Sequence, residues 1–238
     1  MRPAQSRSGV ASAIRSGFRS GRVPALVVLL AGLGLLYGFL FSGDFLVGTV
    51  TVRGTTLGNP AEIVTVAEAI GEPIFTIDAT DSAERVARLP YVERVEVTTS
   101  FPDEVIITVV ERIPAVVWSA AGRTFLVDAR GYVLAESSNT TLPVVTIEGD
   151  APEVGTRVDT REVAAVIAIR DALMPDLVSI ERTARNGLVA RLNGQQMVIF
   201  GDDGRIPAKL AVYGELIRQN RADWTLLDLR EPDRPYYE

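Results

Sequence analysis

The chain is 238 residues long, with 24 basic and 30 acidic side chains and a formal net charge of -6. It contains neither histidine nor cysteine, which excludes Ser-His-Asp and Cys-His nucleophiles, zinc sites built on those residues, and disulfide frameworks. Every basic residue except Lys209 is Arg, a bias that reads as the coding of a GC-rich genome rather than as chemistry.

Charge is unevenly placed. Residues 1–22 carry Arg2, Arg7, Arg15, Arg19 and Arg22 and no acid, so the rest of the chain holds 19 bases against 30 acids, a net of -11. The Ser/Gly/Arg-rich composition of 1–22 predicts a disordered segment attracted to anionic lipid. Val23 to Phe41 then runs without a charge, V-P-A-L-V-V-L-L-A-G-L-G-L-L-Y-G-F-L-F. As a helix rising about 1.5 Å per residue it would be roughly 28 Å long, close to the ~30 Å hydrocarbon core of a bilayer. A cleaved signal peptide is the competing reading, but its apolar region is usually about 7–15 residues and is followed by an A-x-A-like site. L-F-S-G-D-F follows here, so an uncleaved anchor is expected, with positive charge holding the N-terminus in the cytoplasm and residues 42–238 outside. Gly34 and Gly38 form a G-x-x-x-G, which permits close helix approach but also occurs in spans that pair with nothing.

Beyond the span, V-G-T-V-T-V-R-G (47–54) alternates as a short strand. N-P-A-E-I-V-T-V-A-E-A-I-G predicts a helix capped by Asn59 and Glu62, stopped by Gly71, and burying Ile63, Val66, Ala67 and Ile70. A second helix is expected from Asp81 to before Pro90, burying Val86 and Leu89. In L-P-Y-V-E-R-V-E-V-T-T-S-F-P-D-E-V-I-I-T-V-V-E-R-I-P-A-V-V-W (89–118), Val95, Val97, Thr99 and Phe101 share one parity, as do Val105, Ile107, Val109 and Ile113. This predicts two half-buried strands joined at Ser100–Asp103. The order strand-helix-helix-strand-strand implies a three-stranded sheet with both helices on one face. Val52, Ile106 and Val110 look too apolar for a fully solvated outer face.

After Pro114 the pattern is mostly β. Phe125–Leu134 reads as two strands around D-A-R-G, and L-P-V-V-T-I-E-G as another. Asp159 with Glu162 opens a helix carrying Val163, Val166, Ile167, Arg170 and Leu173 inward, broken at Pro175. A meander over 178–185, 188–192 and 195–200 turns at Asn186-Gly187 and Asn193-Gly194. A helix from Pro207 to Asn220 presents Ile206, Leu210, Tyr213 and Ile217. W-T-L-L-D-L-R is a last strand, and the two prolines in E-P-D-R-P-Y-Y-E forbid a continued central strand.

Few residues invite chemistry. Asp202-Asp203-Gly204 is the most metal-like cluster but lacks calcium-loop spacing. Asp128 and Asp228 could form a carboxylate pair, yet they sit where carboxylates cap backbone amides. Phosphate-binding loops are absent, and Asn139-Thr140-Thr141 fits a glycosylation acceptor, a tripeptide common by chance. No cofactor or metal site is expected. Small sheets do have edges that pair with extended segments of other chains, unless those edges are blunted.

The residues resemble the FtsQ/DivIB family of bacterial cell-division proteins, whose first extracytoplasmic unit is a POTRA domain. Leu89, Pro90 and Val92, then Phe101 and Pro102, then Glu111, Arg112, Pro114 and Trp118 are similar to that family's signature. Phe101 stands where Trp is more usual, and Ala115-Val116 shifts the small residue. Phe125-Leu126-Val127-Asp128 with Gly131, Lys209-Leu210, and Leu227-Asp228-Leu229-Arg230 resemble its later motifs. The resemblance implies an α+β chain: a cytoplasmic tail (1–22), a transmembrane helix (23–41), a β-α-α-β-β POTRA domain (45–113), a β domain with an antiparallel sheet and two main helices (114–231), and a C-terminal tail (232–238). It implies a non-enzymatic scaffold at the cell membrane and septum, bearing on septal peptidoglycan synthesis, with other divisome components meeting the POTRA domain. It also implies partners similar to FtsB/DivIC and FtsL, bound partly through the last strand, here Trp224, Thr225, Leu226, Leu227, Asp228, Leu229, Arg230 and Glu231. Glu231 and Asp233 do not match the aromatic and small residues of the family's best-known contact. The alternatives are a POTRA-bearing protein-transport or outer-membrane assembly component, and an exported hydrolase using a carboxylate pair.

Overall fold

The computed structural model describes residues 22–40, 42–137, 142, 144–219 and 224–238; the predicted tail before Arg22, Phe41 and the Asn139-Thr140-Thr141 tripeptide lie outside the described residues. Helix α1 occupies Arg22–Leu40, and every side chain from Pro24 to Phe39 is exposed. Its 19 residues give roughly 28 Å, just under a hydrocarbon core of about 30 Å. Among the described residues no helix is long and apolar enough to cross a membrane.

The first unit follows the predicted order: β1 (Thr49–Arg53), α2 (Pro60–Ala67), α3 (Ala79–Ala87), β2 (Val92–Ser100) and β3 (Glu104–Glu111). The sheet runs β1-β3-β2, with β1 parallel and β2 antiparallel to β3. Parallel pairing follows from the connection, since the two helices carry the chain across the sheet before it returns. Val105, Ile107 and Val109 point inward against Ile63, Ala67 and Val86; burying such side chains contributes about 1.5–3 kcal/mol each.

Several local expectations are corrected. Asn59 caps α2 by accepting from Ala61 N, but the helix ends at Ala67, where Glu68 takes a left-handed φ of 49°. The chain must turn there so that Ala69 enters the core and Gly71 N–H reaches Val47 O at 2.9 Å. Ile70 is therefore 60% exposed. Glu62 does not close a capping box; its carboxylate accepts from the Tyr91 hydroxyl. The cap of α3 is Asp78, which accepts from Thr80 N and Asp81 N. Phe101 sits in the β2–β3 turn and Ile113 beyond the end of β3, and both are exposed. Val52 pairs with Ile107 and so lies on the inner face, since side chains alternate along each strand.

The second unit comprises β4 (Pro114–Ala120), β5 (Arg123–Asp128), β6 (Val133–Glu136), β7 (Val144–Ile147), α4 (Thr160–Leu173), β8 (Leu177–Thr183), β9 (Gly187–Leu192), β10 (Met197–Gly201), α5 (Ile206–Arg218), β11 (Leu226–Asp228) and β12 (Tyr236–Tyr237). They form one sheet in the order β12-β11-β10-β9-β8-β7-β4-β5-β6. It is mixed rather than antiparallel: β4/β7, β7/β8 and β10/β11 are parallel pairs. Helices α4 and α5 account for β7/β8 and β10/β11, because a helix between sequential neighbours returns the chain in the same direction, while β4 and β7 are joined through β5 and β6. Their inner faces meet Val116, Trp118, Phe125, Phe200 and Leu227. On α5 the buried residues are Ile206, Lys209, Tyr213 and Leu216, while the predicted Ile217 is 44% exposed. The Asn186-Gly187 turn is obligatory: a Cβ on Gly187, at φ +64°, would lie 2.1 Å from Gly201 O.

The two units share a seam. Val117, Leu126 and Leu134, of opposite parity to the helix-facing residues, complete the core of the first unit. Glu111 and Arg112, adjacent on the chain, point in opposite directions: Glu111 ties the end of β3 to the β1–α2 loop within the first unit, and Arg112 reaches across the seam to the second. The Glu111 carboxylate accepts from Thr56 N, Thr56 Oγ1, Leu57 N and Gly58 N at 2.7–2.9 Å. Arg112 Nη1 donates to Asp128 Oδ2 at 3.3 Å, and its guanidinium covers the Tyr132 ring at 4.1 Å, with Arg157 over the same ring at 3.9 Å. Partial burial pushes the Glu111 pKa up, but the donors of Leu57, Gly58 and Thr56 outweigh it and hold the carboxyl below the usual glutamate range. A depressed folded pKa contributes stability that is present above the unfolded pKa and is lost as pH falls through the folded value. Glu111→Gln is accordingly expected to cost about 1–2 kcal/mol at neutral pH and to flatten the fall in stability on acidification. Denaturant titrations of both proteins across the acid range check this; parallel pH curves would refute the clamp.

Candidate partner-binding edge

The end of the large sheet is built by β10, β11 and β12. Strand β11 lies parallel to β10, with Val198 beside Leu227, because α5 carries the chain over the sheet between them. Leu229 N–H donates to Ile199 O at 2.8 Å and Met197 N–H to Thr225 O at 2.9 Å. After Asp228 the chain turns through Glu231–Arg234, closed by Arg234 N–H to Glu231 O, and comes back as β12. Leu226 N–H donates to Glu238 O at 3.1 Å and Glu238 N–H to Leu226 O at 2.9 Å.

The eight residues singled out in the sequence thus fall into two sets. Trp224, Leu227 and Leu229 are buried in the core of the second unit, so they hold the edge rather than present it. Thr225, Arg230 and Glu231 are exposed, and Leu226 and Asp228 half-buried. Sequence reasoning missed the strand outside them, Tyr236–Tyr237, since Pro232 and Pro235 read as breakers. Paired aromatics after Pro235 were the available signal, because Tyr suits strands and Pro is tolerated beside an edge. The turn is tied to α5 by a paired contact between Arg205 and Asp233, at 2.8 and 3.0 Å. That guanidinium holds the Asp233 carboxyl below its usual range. Arg230 does the same for Asp228.

Beside this end lies an open cleft of about 430 Å³ lined by Asp159, Glu162, Arg182, Arg185, Asp202 and Arg230 among others. Burial pushes the Glu162 pKa up against the pull of Arg182, whose Nε lies 2.6 Å from Oε1. Lys209, 1% exposed, extends from α5 and donates to Asp202 O and Oδ1 at 3.1 and 2.8 Å, which holds the Asp202 carboxyl below its usual range. The candidate carboxylates are each engaged locally: Asp128 by Arg112 and its own turn, Asp202 by Lys209, Asp228 by Arg230. Among the described residues no three acids gather as a metal site.

The chain after α1 thus consists of a three-stranded β-α-α-β-β unit joined by a buried seam to a helix-backed mixed sheet. Residues 45–112 match the family described as POTRA domain, FtsQ-type, and residues 116–230 match Cell division protein FtsQ/DivIB, C-terminal. The chain is 32% identical to cell division protein FtsQ of Chloroflexus aurantiacus over 235 residues, covering 94% of this chain and 85% of that one. It is 30% identical to the Chloroflexus aggregans protein of that name, covering 93% and 84%, and 26% identical to that of Corynebacterium glutamicum, covering 86% and 92%. The chain belongs to the FtsQ/DivIB family of cell division proteins.

Proposed function

We propose that this protein is a non-enzymatic, single-pass scaffold of the division machinery that links early and late division proteins and helps control septal peptidoglycan synthesis. Residues 1–22 lie in the cytoplasm, 23–41 span the cell membrane, and units 45–113 and 114–231, with the closing segment 232–238, stand outside. An FtsB/DivIC-like membrane-anchored partner, accompanied by an FtsL-like one, adds a strand at the β11–β12 end of the large sheet, with Trp224–Glu231 as the supporting strand. Other division components meet the POTRA unit.

The observation that carries this reading is the construction of that end. Two short strands, one of only two residues, are anchored by buried Trp224, Leu227 and Leu229 beneath and by Arg205–Asp233 at the turn. Main-chain pairing there supplies affinity, and alternate side chains choose the partner. The uncharged run Val23–Leu40 of helix α1 and the five arginines before Val23 support the anchor and its orientation. A fluorescent protein fused to the N-terminus tests the reading in dividing cells. Accumulation at mid-cell is expected; uniform membrane signal throughout the cycle would contradict it.

A further inference from the structure

The first unit carries an aromatic ladder at one end. The rings of Phe39, Phe45, Phe75 and Phe101 follow one another with centroids 4.9, 5.2 and 5.2 Å apart. These residues come from the last turns of α1, the start of the first unit, the α2–α3 connection and the β2–β3 turn, so four separate stretches of chain converge there. Phe75 is 40% exposed and Phe101 63%. Leu46 and Ile70 are also exposed, in segments that Val47 and Gly71 hydrogen-bond together. Contiguous exposed apolar side chains of this kind mark protein or membrane contact sites.

Chain geometry says what lies beside the patch. Residues 41–44 separate the end of α1 from Phe45, whose carbonyl already accepts from Ile74 N. Four residues reach at most about 14 Å, and the ring of Phe45 lies against that of Phe39 in the last turns of α1. No Lys or Arg occurs in 42–52, 54–84 or 95–111, and Asp44, Glu72 and Asp103 flank the rings in sequence. The patch is suited to apolar insertion and not to attraction by anionic headgroups.

We infer that this end of the POTRA unit, through Phe75 and Phe101, inserts into the interfacial layer of the lipid bilayer beside the exit of α1. The contact fixes the tilt of the body outside the membrane, and with it the direction in which the β11–β12 end is presented. The inference rests on the reading of α1 as a membrane span.

The test places single Trp probes in the full chain, reconstituted into phosphatidylcholine nanodiscs containing lipid brominated near the headgroup end of the acyl chain. Phe101→Trp and Phe75→Trp probe the patch, Leu57→Trp the opposite end of the sheet, and Leu33→Trp the middle of α1; native Trp118 and Trp224 are buried and give a common background. Phe101→Trp and Phe75→Trp should be quenched at least about twice as strongly as Leu57→Trp, with no change when phosphatidylglycerol is added. Quenching no greater than that of Leu57→Trp overturns the inference, as does quenching that requires phosphatidylglycerol. Shielding of the patch probes from aqueous acrylamide without lipid quenching would show a protein covering the patch and overturns it too. Leu33→Trp separates the two failures: using lipid brominated deep in the chain, its quenching keeps the span whatever the patch does, and its absence removes the span itself.

Discussion

Asp128→Ala is expected to lose about 3–5 kcal/mol of folding stability, the range for removing one partner of a buried ion pair. Asp128 is 6% exposed. One oxygen accepts from Arg130 N and Tyr132 N at 2.9 and 2.8 Å, shaping the β5–β6 turn. The other accepts from Arg112, whose Nε has no partner among the described residues. Removing the carboxylate would strand that guanidinium at the seam with only the Tyr132 face for compensation. Because Arg112 follows directly on β3 and Asp128 closes β5, the loss falls on the coupling of the two units. Thermal unfolding of the full chain in detergent, followed by near-ultraviolet circular dichroism, measures it. The double variant Arg112→Ala/Asp128→Ala should be less destabilised than the sum of the singles, since the pair shares one interaction. A loss under about 1 kcal/mol for Asp128→Ala, the range of an exposed pair, would mean that the seam does not depend on it.

Leu226→Pro is expected to lower capture of the FtsB/DivIC-like partner at least tenfold, about 1.4 kcal/mol, while residues 45–112 stay folded. Leu226 N–H is the donor that meets Glu238 O, and proline has no such donor. A two-residue strand has few other main-chain bonds, so β12 should detach and the end of the sheet lose its shape. Leu227→Pro should be more severe, because Leu227 is 0% exposed and sits in the core of the second unit. Co-purification from membranes reads the capture. Undiminished recovery of the partner with Leu226→Pro would remove this end of the sheet from the binding mechanism.

Much of the fold was legible because local signals agreed with the packing. Asn59 and Asp159 were read as helix caps and accept the expected amides, and Asn186-Gly187 turns where a side chain would collide with Gly201. What escaped was set by long-range contact. β4 is buried on both faces because Val117 faces the first unit while Val116 and Trp118 face the helices, so its sequence does not alternate. The parallel pairs around α4 and α5 were hidden in a run that reads as hairpins. Ile70 looked like a core residue by helical spacing and Ile113 by strand parity, yet the chain had already turned at Glu68 or left the sheet at Glu111. At the candidate edge, a strand was legible in Trp224–Arg230, of which the structure forms Leu226–Asp228, but its outer neighbour followed two prolines. The roles of Glu111 and Arg112 could not be read from an adjacent acid and base, since their partners at Thr56–Gly58 and Asp128 are distant in sequence and meet them only in the folded chain.

Amide hydrogen exchange of the full chain, with and without its FtsB/DivIC-like partner, tests most directly that the partner adds a strand to the large sheet. Slowed exchange concentrated in residues 224–238 on partner binding is the predicted result. Protection confined to β1 and β2 of the POTRA unit, with 224–238 unchanged, would contradict it.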